Sequence, residues 1–126
     1  MDDKGRFDGG MKIRREVLGA DYVDRGMAAA DDFMIAMQDL TTRYCWGDIW
    51  SRPGLSNKQR SIINLAMISA LNRPHELKVH VKGALTNGVT KDEIKEILLQ
   101  VAVYAGIPAG MNSFRIANET FKELGK

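Results

Sequence analysis

The chain has 126 residues and a formal net charge of +2, a length that suits one domain spanning residues 1–126. Charges of both signs alternate without a basic block, which argues against nucleic-acid binding. The N-terminus lacks the apolar run of a signal peptide, and no stretch approaches the roughly 20 apolar residues of a membrane span, so we expect a cytoplasmic protein without membrane contact. The single cysteine, Cys45, excludes an internal disulfide, a Cys-x-x-Cys redox pair and a multi-cysteine zinc site.

Helices are predicted along most of the chain. A long amphipathic helix is expected over residues 24–44, with Phe33 and Leu40 on its apolar stripe. Two capping boxes, SNKQ (56–59) and TKDE (90–93), predict the starts of two further helices. The other boundary signals are Asn72 and Pro74 at a helix start, Asn87 and Gly88 at its end, and Gly106 and Pro108 before a last helix from near Ala109 to about Leu124. Because few windows alternate as strands do, the fold class is all-α, a single-domain bundle of about six helices.

The segment YCWGDIWSRPGL (44–55) interrupts the helical pattern and holds both tryptophans of the chain, Trp46 and Trp50. Pro53 and Gly54 form a natural turn. Tryptophans in such a cluster are typical of a core or of a subunit contact. Alternatively they form the water-excluding wall of a pocket. Both interpretations hold if a pocket lies at a subunit contact.

The stretch NRPHELKVH (72–80) places Glu76 four residues before His80, so on a helix both side chains share one face. At about 100° per residue over 74–87, His80 falls at the edge of the apolar stripe, beside Gly83. The core stripe itself consists of Leu77, Val81, Ala84 and Leu85. His80 is therefore either a half-buried histidine paired with Glu76 or one half of a catalytic pair in a cleft, and the spacing alone does not separate the two.

Two runs of the sequence, WGDIWSRPGLSNKQRSI (46–62) and HVKGALTNGVTKDEIKEILLQVAVYAGIPAGMNSF (80–114), resemble the carboxymuconolactone decarboxylase family. The combination of WGDIW-RPGL, a lone motif histidine at His80, NGVT with its following helix, and Y-GIPA is specific, and the resemblance covers nearly the whole chain. It implies an all-helical fold shared with alkylhydroperoxidase D. It also implies a homo-oligomer, a trimer or hexamer, that uses no cofactor.

The peroxidase branch of this fold carries a Cys-x-x-Cys-x-x-x-His motif with an upstream glutamate. By register, His80 matches the motif histidine, whereas Arg73 and Glu76 occupy the two cysteine positions and Ser61 the glutamate position. Without thiols, peroxide reduction by that route is excluded. The missing cysteines favour a lactone decarboxylase over an antioxidant enzyme.

The resemblance implies a carboxy-lyase that converts 4-carboxymuconolactone to 3-oxoadipate enol-lactone in protocatechuate degradation, the β-ketoadipate pathway. Such a substrate is a small lactone with two carboxylates. It is its own electron sink, because the electrons left by CO2 pass through the ring double bond to the lactone carbonyl. Neither a metal nor a cofactor is therefore expected.

This chemistry needs an acid that returns a proton to carbon, and cations that hold the carboxylates. His80 is the best donor, since its rival His75 follows Pro74 at a helix start and is expected to be exposed. Glu76 is expected to raise the pKa of His80 or fix its tautomer, and it is the alternative donor. The arginine candidates are Arg43, Arg52, Arg60, Arg73 and Arg115, of which Arg52 and Arg60 are favoured. The other expected substrate contacts are Arg73, Ser61, Trp46 and Trp50.

Three functions remain open at this point. The first is the decarboxylase. The second is a relative that acts on another small lactone or keto acid, or a thiol-free peroxidase-like oxidoreductase. The third is a non-catalytic helical oligomerisation module, which would tolerate substitution of His80.

Overall fold

The computed structural model describes residues 2–126, and this part of the chain is helical without a β-strand. It contains seven α-helices and one π-helix. In chain order these are α1 (Asp3–Leu18), α2 (Ala20–Ala29), α3 (Asp32–Leu40), the π-helix (Thr41–Ile49), α4 (Asn57–Ala70), α5 (Pro74–Thr86), α6 (Lys91–Ala105) and α7 (Ile107–Glu123). The all-α prediction is confirmed, although the described residues form more helices than the six or so that were expected.

The chain divides into two compact units, unit 1 (Met1–Ser56) and unit 2 (Asn57–Lys126). Unit 1 holds α1, α2, α3 and the π-helix, and unit 2 holds α4 to α7. Among the residues described, no helix has the length and apolar character needed to cross a membrane. The expectation of one domain over 1–126 stays a prediction.

In unit 1, α1 packs against the π-helix through side chains such as Val17 and Trp46 and also through close backbone contact at two glycines. A Cβ atom on Gly10 would overlap the carbonyl oxygen of Thr42 and lie 2.9 Å from the Gly47 nitrogen. A Cβ atom on Gly47 would lie 2.5 Å from the carbonyl oxygen of Arg6. Glycine at both positions is what lets the two backbones touch.

Helix α1 was not expected from the sequence. Its composition is poor in apolar residues, and Gly9 and Gly10 lower its intrinsic helix propensity. The side chain of Asp2 caps its start by accepting a hydrogen bond from the Gly5 N–H at 2.7 Å. At the other end Gly19 adopts φ 95° and separates α1 from α2. The contact with the π-helix supplies the stabilisation that propensity does not.

The prediction of one long helix over residues 24–44 is wrong. Helix α2 ends at Ala29, Ala30 is extended, and the side chain of Asp31 caps α3 by accepting from the Met34 N–H at 2.9 Å. From Thr41 onward the helix has π-type hydrogen bonds. An aspartate that can cap a new helix competes with continuation of the old one, and periodicity alone does not reveal this.

Unit 2 has a side-chain core to which all four of its helices contribute. The buried apolar residues are Leu65 on α4, Leu77, Val81 and Ala84 on α5, Val89 in the loop after α5, Ile94 and Leu98 on α6, and Ile116, Ala117 and Phe121 on α7. Their spacing of three and four residues along each helix is that of amphipathic helices around one core.

Local signals set the helix boundaries of unit 2. The TKDE capping box is confirmed, since the Thr90 hydroxyl accepts from the Glu93 N–H at 3.0 Å and the Glu93 carboxylate accepts from the Thr90 N–H at 2.9 Å. Gly88 has φ 92°, as expected for the residue that ends α5. The last helix begins at Ile107 instead of near Ala109, because Gly106, with φ 113°, ends α6 and α7 follows at once.

Candidate active site

Helix α5 carries the candidate catalytic histidine at the edge of its buried face. Arg73 occupies the N-cap position and Pro74 begins the helix, where its fixed φ is favourable. The apolar stripe is confirmed: Leu77, Val81 and Ala84 are buried, and Leu85 is partly buried. Thus the side of α5 that faces the core is the one predicted, and His80 lies at its border.

His80 is partly buried, and removal from water lowers its pKa below the ordinary value of 6.5. The Glu76 carboxylate acts in the opposite direction but is exposed, and it does not overcome the effect of burial on the pKa. Glu76 thus raises the pKa of His80, as expected, but burial lowers that pKa by more. His75 is exposed, as predicted.

A polar contact joins the C-terminal end of α5 to α4. The Asn87 side chain, just after α5, donates from Nδ2 to the Ser61 hydroxyl oxygen at 2.9 Å and to the Asn57 carbonyl oxygen at 3.4 Å. Ser61 is fully buried. At about 100° per residue, Asn87 lies nearly in line with His80, two helical turns further on. The face of α5 that carries His80 is thus the face that meets α4.

The sequence places Asn87 on the side of α5 that carries His80, but Asn87 was not among the predicted site residues. The pair with Ser61 ties the end of α5 to the start of α4. It thereby helps to fix the end of the helix that carries His80.

The predicted arginines of unit 2 differ in how they are engaged. Arg60 is partly buried on α4. Arg73 is exposed, and its Nη1 donates to the carbonyl oxygens of Leu71 at 2.7 Å and Asn72 at 3.4 Å. Arg115 is exposed on α7, where its guanidinium contacts Asn112 and Glu119. Of these three arginines, Arg60 alone is partly buried rather than exposed.

The remaining predicted residues belong to unit 1. Trp46 and Trp50 are 3% and 5% exposed, stack with ring centroids 4.5 Å apart, and pack with Val17 in the core of that unit. The structure thus gives them the core role among the alternatives considered. Arg52 is exposed in the turn after the π-helix, and Arg43 stands over the Phe7 ring at 5.3 Å.

Cys45 packs beside the two tryptophans, and burial raises the pKa of its thiol. A raised pKa keeps the sulfur protonated and a poor nucleophile. Within residues 2–126 no three side chains of His, Cys, Asp or Glu come together in a way that could hold a metal ion.

Comparison with known proteins identifies the family. The model of the carboxymuconolactone decarboxylase family matches residues 35–119. The chain is 42% identical to the 4-carboxymuconolactone decarboxylase of Acinetobacter baylyi over 99% of this chain and 93% of the relative. It is 40% identical to the nitrosuccinic acid decarboxylase npaB of Metarhizium robertsii over 94% of this chain and 82% of the relative. These matches show that the chain belongs to the carboxymuconolactone decarboxylase family.

Proposed function

We propose that this family decarboxylase acts on 4-carboxymuconolactone and releases CO2 and 3-oxoadipate enol-lactone. The observation that carries the proposal is the similarity to a 4-carboxymuconolactone decarboxylase along nearly the full length of both chains. A partly buried histidine on α5, at the border of the core, fits the need for one proton-transfer group.

The reaction breaks one carbon–carbon bond and forms one carbon–hydrogen bond. As CO2 leaves, the bonding electrons pass through the ring double bond to the lactone carbonyl, which gives a dienolate. A proton then returns to carbon. The substrate holds the electrons throughout, so the protein needs to bind the remaining carboxylate, stabilise the enolate oxygen and supply the proton.

His80 supplies the proton in this proposal. Burial keeps its imidazole mainly neutral near neutral pH in the unoccupied protein. An anionic substrate beside the imidazole raises the pKa of His80, as Glu76 does in part already. Binding is therefore coupled to proton uptake, and the imidazolium so formed donates to carbon.

Arg60 on α4 is proposed to hold a substrate carboxylate, because a guanidinium offers two parallel donors to it. The Ser61–Asn87 pair is proposed to position α5 and to border the substrate. Contributions of Arg52, Arg73, Trp46 and Trp50 to binding remain predictions. Arg73 is the weaker candidate among the arginines, since its donors already serve backbone carbonyls.

Nitrosuccinic acid is a second candidate substrate, favoured by the match to npaB over 94% of this chain. It also carries carboxylates and an electron sink, because a nitro group can take up the electrons left by CO2 as a nitronate. The same three tasks of carboxylate binding, charge stabilisation and carbon protonation apply. The two substrates differ in shape more than in the catalytic groups they need.

One assay with two substrates tests the proposal. The purified chain is mixed with freshly generated 4-carboxymuconolactone, with loss of the lactone followed by ultraviolet absorbance, and in parallel with nitrosuccinate, with released CO2 measured. Faster turnover of the lactone supports the primary proposal. Turnover of nitrosuccinate alone replaces it with the second candidate, and no turnover of either contradicts both.

We also propose that the chain acts as a homo-oligomer, a trimer or hexamer. Each unit exposes large apolar side chains, among them Phe33 at 85% and Met37 at 56% in unit 1, and Tyr104 at 85% and Met111 at 69% in unit 2. Such side chains are commonly covered by subunit contacts. Light scattering that finds a stable monomer at micromolar concentration contradicts this proposal.

A further inference from the structure

Unit 1 contains a buried arginine that has no acidic partner. Arg14 lies on the inner face of α1 and is 9% exposed, and no other charged side chain among residues 2–126 is as deeply buried. Its Nη1 donates to the Thr42 hydroxyl oxygen at 3.2 Å and lies 3.9 Å from the Met27 sulfur. Its Nε is buried and has no hydrogen-bond acceptor within the described chain.

The more exposed arginines of the same unit are paired differently. Arg6 lies 2.8 Å from an Asp48 carboxylate oxygen, and Arg15 lies 3.0 Å from one of Asp24. No carboxylate of residues 2–126 forms such a pair with Arg14. Arg14 is thus the most deeply buried of these three arginines and the only one of them without a carboxylate partner. A buried unpaired charge is costly, and an arginine does not relieve that cost by losing its proton.

The two groups that Arg14 Nη1 contacts, the Thr42 hydroxyl and the Met27 sulfur, are both neutral. The Thr42 hydroxyl already donates to the Gln38 carbonyl oxygen at 2.8 Å, so it accepts from Arg14 as a neutral partner. Thr42 stands in the first turn of the π-helix, a type of segment that is frequent at functional sites. Two further buried polar atoms also lack partners: Gln38 Oε1, four residues before Thr42, and Arg43 Nε, just after it.

We propose that Arg14 binds the carboxylate of a small organic anion. The guanidinium offers its Nε–H and an Nη–H side by side, the arrangement that matches the two oxygens of a carboxylate. A small molecule is the expected source, because Arg14 as a residue is only 9% exposed and a large partner could not approach it closely. The proposal concerns unit 1 alone and does not depend on which substrate is turned over.

The test follows the Arg14 Nε–Hε signal by nitrogen–proton NMR while succinate is added to the intact chain. A saturable shift of this signal is expected, together with a higher melting temperature in succinate, because a ligand that binds only the native state stabilises it. Arg14→Gln should weaken succinate binding about tenfold or more, since it removes the charge-assisted pair. The matched control is Arg15→Gln, on the exposed neighbour, which should bind succinate as the parent does.

The outcomes separate the sources of the carboxylate. A shift that appears on raising the protein concentration, without succinate, assigns the carboxylate to a second copy of the chain and overturns the small-molecule source. A signal that responds neither to succinate nor to protein concentration overturns the proposal. The NMR arm uses the parent chain, so it decides even if Arg14→Gln fails to fold. Neither the NMR signal nor the melting temperature depends on turnover. The binding test can therefore be interpreted even if the chain has no decarboxylase activity.

Discussion

The helices within unit 1 and the helices within unit 2 are held together by different kinds of contact. Unit 2 joins four helices through aliphatic side chains such as Leu65, Ile94 and Leu98. Unit 1 packs Val17 against two tryptophans, but it also brings the backbones of α1 and the π-helix into contact at two glycines and buries Arg14 and Thr42. Aliphatic side chains can shift when one neighbour changes, whereas touching backbones cannot. Unit 2 should therefore tolerate small changes that disable unit 1.

Among the variants that test this difference between the units, Gly10→Ala should have the largest effect on the free energy of unfolding. The added Cβ would overlap the Thr42 carbonyl oxygen, and neither backbone can yield without moving a helix. We expect a loss of more than about 4 kcal/mol in the free energy of unfolding, in the range of severe packing defects. Thermal unfolding followed by circular dichroism measures this loss.

Gly9→Ala is the matched control, since a Cβ at Gly9 would meet nothing within 4 Å. Alanine is the better helix former, so this variant should gain about 0.5–1 kcal/mol. Equal behaviour of the two variants would show that backbone contact does not hold unit 1 together.

His80→Gln tests whether unit 2 supplies the catalytic acid. Glutamine keeps a polar side chain of similar size but cannot donate an acidic proton to carbon. If His80 has the proposed role, kcat should fall about 10²–10⁴-fold and KM should change much less. Steady-state kinetics on the preferred substrate provide the measurement. Normal kcat in this variant would move the acid role to Glu76.

Leu98→Ala measures how far the core of unit 2 can adapt. Leu98 is 1% exposed among side chains from all four helices. Removal of its terminal carbons should cost about 2–5 kcal/mol while leaving the fold intact, because the neighbouring side chains can partly close the cavity. Denaturant unfolding gives the value. Complete unfolding by this single change would mean that unit 2 is no more tolerant than unit 1.

A smaller effect should appear in the pH dependence of stability. The folded chain has a His80 pKa below 6.5, so the unfolded chain binds that proton more readily. The neutral imidazole makes its full contribution to stability at pH values above 6.5, the ordinary pKa of histidine. This contribution is lost as the pH falls through the lower pKa that His80 has in the folded chain. His80→Gln should flatten the acid side of the stability curve, whereas His75→Gln, at an exposed position, should not.

Cys45→Ser should have the smallest effect on turnover. The thiol lies in the unit 1 core, and its raised pKa leaves it without nucleophilic character. We expect kcat within about tenfold of the parent, which corresponds to less than about 1.4 kcal/mol in the barrier. A larger fall in a folded variant would give unit 1 a direct part in the chemistry.

Much of unit 2 could be predicted from sequence because its signals are local. The TKDE box, Gly88 and the three- and four-residue spacing of Leu77, Val81 and Ala84 each depend on neighbours along the chain. That spacing also placed His80 correctly at the border of the core. The net direction of its pKa shift was not predictable, since burial is a property of the folded structure.

Unit 1 was harder to predict because its determinants are distant in sequence. Helix α1 depends on the contact of Gly10 with the π-helix, more than thirty positions away. Arg14 lies in the charged stretch KIRRE, where nothing distinguishes it from exposed Arg15. The break at Asp31 was hidden by a continuous apolar stripe on both sides of it.

The stacked pair of Trp46 and Trp50 allows unit 1 to be followed separately by fluorescence and near-ultraviolet dichroism. Every tryptophan of the chain lies in unit 1, so indole emission reports the environment of that unit alone. Two indoles with centroids 4.5 Å apart also couple their electronic transitions, which adds a near-ultraviolet dichroism signal that vanishes when the stack opens. Far-ultraviolet dichroism, in contrast, sums the helices of both units. A melt recorded with both signals therefore shows directly whether the two units lose their structure together or in sequence.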